Sequence, residues 1–126
     1  MIVLARRDGA GPMPIGEVAS AERIPKKFLE QILLELKKAG LVHSRRGAGG
    51  GYYLVREPGS ISLAEIVRVI DGPLAPLSCV SRHALVRCPE QTSCGLYGVM
   101  RDVRNAVAEI MENVTLEDAI RRKGGR

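Results

Sequence analysis

Residues 24–55 constrain this chain more than any other stretch. A single amphipathic helical pattern, stopped by a glycine, leads directly into two short apolar runs flanking Gly47-Ala48-Gly49-Gly50-Gly51. Between Ile24 and Ala39, Phe28, Leu29, Ile32, Leu33, Leu36 and Ala39 fall on one arc of a helical wheel. Lys26, Lys27, Glu30, Gln31, Leu34 and Lys38 fall on the opposite arc. That division predicts a helix packed on a core with its polar face outward. Pro25 suits the first turn and Gly40 the C-terminal stop. Leu41 to Arg46 and Tyr52 to Val55 then read as the strands of a glycine-tipped hairpin.

The flanking segments complete the pattern. Met1 to Arg7 is helical in character until Asp8-Gly9-Ala10-Gly11-Pro12 breaks it, and Gly16 to Ala21 suits a short helix around Val18. Helix, short helix, longer helix and hairpin follow the order of a winged helix-turn-helix. Downstream, Ser62-Leu63-Ala64-Glu65 has capping-box spacing and opens a helix to about Ile70, ended by Asp71-Gly72-Pro73. A long helix is expected from near Leu96 to Asn113, then a short one from Thr115 and a basic tail. The expected fold class is mainly α with a small β-hairpin: a winged helix-turn-helix plus a long C-terminal dimerisation helix. Residues 1–71 form the DNA-binding region of this reading, 72–95 a cysteine-containing sensor loop, and 96–126 the dimerisation helix and tail.

A length of 126 residues suits one domain, and 45% hydrophobic residues argue against wholesale disorder. With no Trp and one Phe, the core must rest on Leu, Ile, Val and Ala. No run has the length of a membrane span and the start lacks a signal-peptide pattern, so the expected location is cytoplasmic, with no membrane partner. The formal net charge of +5 is uneven. Residues 1–58 carry 10 Lys+Arg against 6 Asp+Glu, a net of +4, whereas residues 59–126 carry 9 against 8, a net of +1. A basic N-terminal half suits a polyanion.

In a helix-turn-helix, the N-terminal turns of the second helix reach base edges in the major groove. Lys27, Glu30 and Gln31 can supply guanine, cytosine and adenine contacts respectively, with Lys26 beside them. Arg45 and Arg46, next to a tip containing Gly49 and Gly50, can track phosphates or enter a narrow minor groove. For any one of these residues an ordinary solvated face is the competing reading, and the pattern as a whole favours recognition. A phosphate-binding P-loop is a poor alternative, because no Lys-Ser/Thr follows the glycines and a strand, not a helix, comes next.

Cys79, Cys88 and Cys94 all lie in one Pro/Gly-rich stretch, separated by eight and five residues. Thiolates suit iron–sulfur clusters and zinc, but the paired C-x-x-C spacing usual for zinc is absent. A disulfide between two of the three is chemically sound as well, and the residues alone leave metal binding and a thiol switch level. A cluster usually takes four donors. His83, Glu90, Tyr97 or a residue of another subunit are the candidates for the fourth. An enzyme built on Cys88 or Cys94 with His83 is disfavoured, since nothing in the sequence orients such a pair. Further on, Leu96, Val103 and Ile110 recur every seven residues, with Val99, Met100, Val107 and Val114 near the intervening positions. This seam suits a helix pair or packing on its own domain.

Three stretches together resemble one known family. Ile24-Pro25-Lys26-Lys27-Phe28-Leu29-Glu30-Gln31-Ile32-Leu33, Leu36-Lys37-Lys38-Ala39-Gly40-Leu41-Val42 and Arg46-Gly47-Ala48-Gly49-Gly50-Gly51-Tyr52 look like the iron–sulfur cluster regulators, the IscR/NsrR-type family of bacterial winged-helix transcription factors. The likeness runs on through the cysteine loop and long helix. It implies a non-enzymatic homodimeric repressor that binds double-stranded DNA at palindromic operators. It also implies that Cys79, Cys88 and Cys94 hold a [2Fe-2S] or [4Fe-4S] cluster whose state sets DNA affinity. Other members lack the cysteines, so a thiol-redox or metal-free regulator of the same fold is the alternative. The family's commoner cysteine spacing has equal gaps, unlike the eight and five here, and its members carry a further stretch ahead of the part matching Ile2 to Arg7, so the first helix is expected to be shortened.

Overall fold

The computed structural model describes residues 1–83 and 87–122; the basic tail expected beyond Arg122 lies outside the described residues. The chain runs through α1 (Ile2–Arg6), α2 (Ile15–Glu22), α3 (Lys26–Lys38), β1 (Val42–Arg45) and β2 (Gly51–Leu54). A 3-10 turn at Pro58–Ser60 leads to α4 (Leu63–Ile70), and a second at Ser78–Val80 precedes α5 (Gly95–Asn113) and α6 (Leu116–Arg121). This is the winged helix-turn-helix with a long C-terminal helix that the element order implies.

Leu29, Leu33 and Leu36 drive α3 against Leu4, Val18, Leu41, Ile61 and Leu116 in one apolar cluster. Burying each such leucine contributes about 1.5–3 kcal/mol. The expected arc of α3 is narrower than its sequence suggested. Ile32 is half-buried, Ala39 is exposed, and Phe28 stands 63% exposed. Leu29, Leu33 and Leu36 are the residues that α3 buries, and the Phe28 ring is left outside. Pro25 occupies the N-cap position, just before the first turn, where its extended backbone starts the helix. Gly40, in a left-handed conformation (φ +73), ends it.

The strands pair antiparallel from Val42 opposite Leu54 to Arg45 opposite Gly51. Met13 adds a short third rung: its N–H donates to the Tyr52 carbonyl at 2.9 Å and its carbonyl accepts from the Tyr52 N–H at 2.8 Å. Gly51 permits this approach, because a Cβ there would lie 2.3 Å from Met13 backbone atoms. Residue 51 therefore has to be glycine for the wing to be tied to the segment after α1.

At Ser62 only half of the expected capping box forms. Its hydroxyl accepts from the Glu65 N–H at 3.2 Å, while the Glu65 carboxylate pairs with Arg56. A full charge–charge partner outcompetes a backbone N–H for that carboxylate. The complete box lies at α6, between Thr115 and Asp118. That helix returns to the N-terminal body, with Leu116 fully buried and α6 packed on α1. Two backbone bonds, Leu63 N–H to the Val114 carbonyl (2.9 Å) and Leu116 N–H to the Ile61 carbonyl (2.8 Å), stitch the end of α5 to the start of α4. No helix is long and apolar enough to cross a membrane among the described residues.

Candidate nucleic-acid interface and cysteine loop

The corner between α2 and α3 is made by Arg23 in a left-handed conformation (φ 53), with the Ile24 N–H bonded back to the Ala19 carbonyl at 3.0 Å. It sets the first turns of α3 at the surface. Lys26, Lys27, Glu30 and Gln31 are all exposed there, while Leu29 and Leu33 anchor the opposite side. The first turn reads Lys-Lys-Phe-Leu, with no acid, and Pro25 offers no hydrogen-bonding side chain to the helix N–H groups. Lysines at the positive end of a helix dipole are unfavourable by about 0.3–1 kcal/mol each unless an anion compensates them. The same end of the helix presents uncapped N–H groups that suit a phosphate oxygen. Phe28, exposed in the same turn, is the residue that the amphipathic reading assigned to the core and so missed as a surface group.

On the wing, Arg45 and Arg46 are exposed, and so is Gly49. Gly50 differs from Gly49. It is half-buried, its N–H closes the tip onto the Gly47 carbonyl at 3.0 Å, and a Cβ there would meet the Arg45 carbonyl oxygen at 2.4 Å. Its glycine is required by the turn itself, whereas Gly47 (φ +93) and Gly49 (φ +72) supply left-handed backbone.

The cysteine loop is held at three points. Val80 is buried, and its carbonyl accepts from the Arg104 guanidinium on α5, which pins the turn carrying Cys79. The Gln91 N–H donates to the Cys88 carbonyl (3.2 Å) and the Cys94 N–H to the Glu90 carbonyl (2.9 Å), folding residues 88–94 into a tight turn. Cys94 is the N-cap residue of α5. Cys79 and Cys88 are half-buried, Cys94 is exposed, and all three are free thiols. Among the described residues, no three His, Cys, Asp or Glu side chains gather closely enough to hold a metal ion. Of the fourth-ligand candidates, Glu90 is an exposed residue of the tight turn, Tyr97 is half-buried in the first turn of α5, and His83 lines a cavity beside Arg104.

Along α5, Leu96, Val99, Val103, Val107 and Ile110 are exposed and Met100 and Val114 half-buried. The seam is thus an outward apolar strip with two members turned partly toward the body.

The family model described as Rrf2, iron-dependent transcriptional regulator, matches residues 1–122. The chain belongs to the Rrf2 family. An rrf2-like helix-turn-helix transcriptional regulator of Rhodobacter capsulatus is 43% identical over 119 residues, covering 92% of this chain and 79% of that protein. Among solved structures, CymR, described as the global cysteine regulator of B. subtilis, superposes with a TM-score of 0.77 at 34% identity, covering 98% of this chain and 88% of that one. IscR of T. potens gives a TM-score of 0.73 at 30% identity, covering 98% and 84%. This Rrf2 protein is a helix-turn-helix transcriptional regulator, as expected, and not an enzyme.

Proposed function

We propose that this Rrf2 regulator acts in the cytoplasm as a homodimeric repressor at palindromic operators, with affinity set by an iron–sulfur cluster on Cys79, Cys88 and Cys94. The observation carrying the DNA-reading part is the start of α3, where exposed Lys26, Lys27, Glu30 and Gln31 surround uncapped helix N–H groups. An electrostatically disfavoured arrangement of this kind is relieved by a phosphate backbone. Lys27, Glu30 and Gln31 read base edges; Lys26, Arg45 and Arg46 hold phosphates, with Gly49 letting the wing tip approach the duplex.

The donor set fits a cluster in kind. Three soft thiolates lie on one loop, none is committed to a disulfide, and none is deeply buried. When bound, such a cluster supplies a centre sensitive to redox state and to small ligands. The chain's own residues supply the transmission. Cys94 occupies the N-cap position of α5, and Arg104 of α5 holds the carbonyl next to Cys79, so drawing the thiols together moves the N-terminal end of that helix. A thiol-redox switch is the second reading, favoured by the three free thiols and by the likeness to CymR, described as the global cysteine regulator of B. subtilis.

The experiment is a spectrum and a gel shift. Anaerobically prepared protein should be brown, with iron and acid-labile sulfide in comparable amounts. Cluster-loaded, apo and Cys88→Ala proteins should differ in affinity for one operator. Protein that stays colourless after reconstitution overturns the cluster, and a response to oxidant in that colourless protein selects the thiol switch.

A further inference from the structure

Away from the DNA-facing surface, α4, the turn after it, the sensor loop and α5 enclose an open cavity of about 280 Å³. Pro73, Leu74 and Ala75 form one wall and Ala108 of α5 another, so much of the lining is apolar. The polar part of the lining is basic: Arg68, Arg82, His83 and Arg104 all border it, and no carboxylate does among the described residues. Arg68 is neutralised by an ion pair with Glu112. Arg104 directs three N–H groups to neutral acceptors, one to the Val80 carbonyl and two to Asn105 Oδ1, and so keeps its full charge. Arg82 forms no ion pair among the described residues. Glu112 lies near enough to feel Arg82 as well, and its acidity is strengthened chiefly by the hydrogen bond from Arg68. Arg82 and Arg104 thus border the apolar recess with no ion-pair partner of their own among the described residues.

We infer that this cavity binds a small organic carboxylate, its anionic end held by Arg82 and Arg104 and its apolar body against Pro73, Leu74 and Ala108. Arginine is the side chain whose planar donors match a carboxylate, and the apolar walls select a ligand with a hydrocarbon portion over an inorganic anion. A recess of this size suits a small aromatic or branched acid. The cavity faces the side of α5 turned away from the exposed apolar strip, since Arg104 and Ala108 are half-buried while Val103 and Val107 are exposed. Arg82 lies between Cys79 and Cys88 in sequence, so a ligand held by both Arg82 and Arg104 ties the sensor loop to α5 and couples its own binding to the chemistry of the thiols. The binding itself stands independently of whether those thiols carry a cluster.

The test is ligand-observed NMR on the full-length reduced protein with benzoate, benzyl alcohol and inorganic phosphate as probes. Benzoate should bind saturably at about millimolar concentration or below, with benzyl alcohol and phosphate at least about tenfold weaker. Arg82→Gln should weaken benzoate about tenfold without changing the circular dichroism. It is the decisive variant, because Arg104→Gln also releases Val80. No saturable benzoate signal, benzyl alcohol or phosphate binding as tightly as benzoate, or an unaltered Arg82→Gln protein would each overturn the inference.

Discussion

Arg23 is the one non-glycine residue with positive φ among the described residues, and it forms the corner of the helix-turn-helix. A left-handed conformation costs an L-residue about 1–2 kcal/mol, and glycine avoids most of that at some expense in unfolded-state entropy. Arg23→Gly should therefore stabilise the fold by about 0.5–1 kcal/mol, read in urea denaturation at fixed protein concentration. A lower midpoint would show that the Arg23 side chain holds contacts outweighing its backbone strain. Asp118 makes the opposite kind of contribution. It accepts from the Thr115 N–H at 2.9 Å and from the Thr115 hydroxyl at 2.8 Å, the backbone bond first in effect, and its pKa lies below the ordinary value near 3.8. A depressed carboxylate pKa stabilises the fold above the unfolded value, and that stability is lost as the pH falls through the folded one. Asp118→Asn should be less stable than the parent at neutral pH, with the gap closing as the pH is lowered below about 4. A gap that persists unchanged in acid would mean that the carboxylate charge is not what holds the start of α6.

At the scale of elements, the proposed reading gives α3 and the wing different shares of DNA binding. Arg46, exposed at the hairpin tip, is placed for phosphate, whereas Gln31 has the paired donor and acceptor that adenine requires. Arg46→Ala should weaken cognate and random DNA alike and lower the salt slope of binding by about 0.9. Gln31→Ala should relax preference at one base pair and leave the salt slope unchanged. Equal losses on both DNAs from both variants would refute the division. These elements were readable in sequence because their signals are local: Gly40 stops α3, and the glycines mark the tip of the hairpin. What escaped the reading depends on distant partners. Nothing near Met13 announces its pairing with Tyr52, although the need for glycine at 51 records that approach from the other side. The helical wheel gave Phe28 to the core because it counts faces and not the volume behind them. In the same way, three cysteines on one loop were plain in the sequence, but the distances among their thiols depend on how Arg104 and Val80 anchor that loop.

Across the whole molecule, α5 is the element that α4 and the turn carrying Cys79 both pack against. Its start follows directly on Cys94, its middle holds Val80 through Arg104, and its end is tied to α4 by the Leu63–Val114 bond and the Arg68–Glu112 pair. Since α4 packs on α3, a displacement of α5 has a continuous path of contacts to the DNA-facing helix. Yet none of the nineteen residues of α5 is buried among the described residues, and Ile110 is 61% exposed. A helix of that length with an unpaired apolar strip is stabilised by packing against a partner, and a second copy of the strip is its natural complement. In the proposed dimer, two-fold pairing would set two copies of α3 about one DNA turn apart, the separation that half-sites of a palindrome present. Val103→Asp with Ile110→Asp places charge in the strip at positions exposed in the single chain, so the winged-helix body should keep its circular dichroism and α3 its contacts. Light scattering should then report a monomer. Affinity for a palindromic operator should fall about a hundredfold or more, because the second half-site no longer benefits from linkage to the first, while affinity for an isolated half-site stays near its original value. A variant that remains dimeric, or one that loses half-site and palindrome binding in equal measure, would move the subunit contact elsewhere on the molecule.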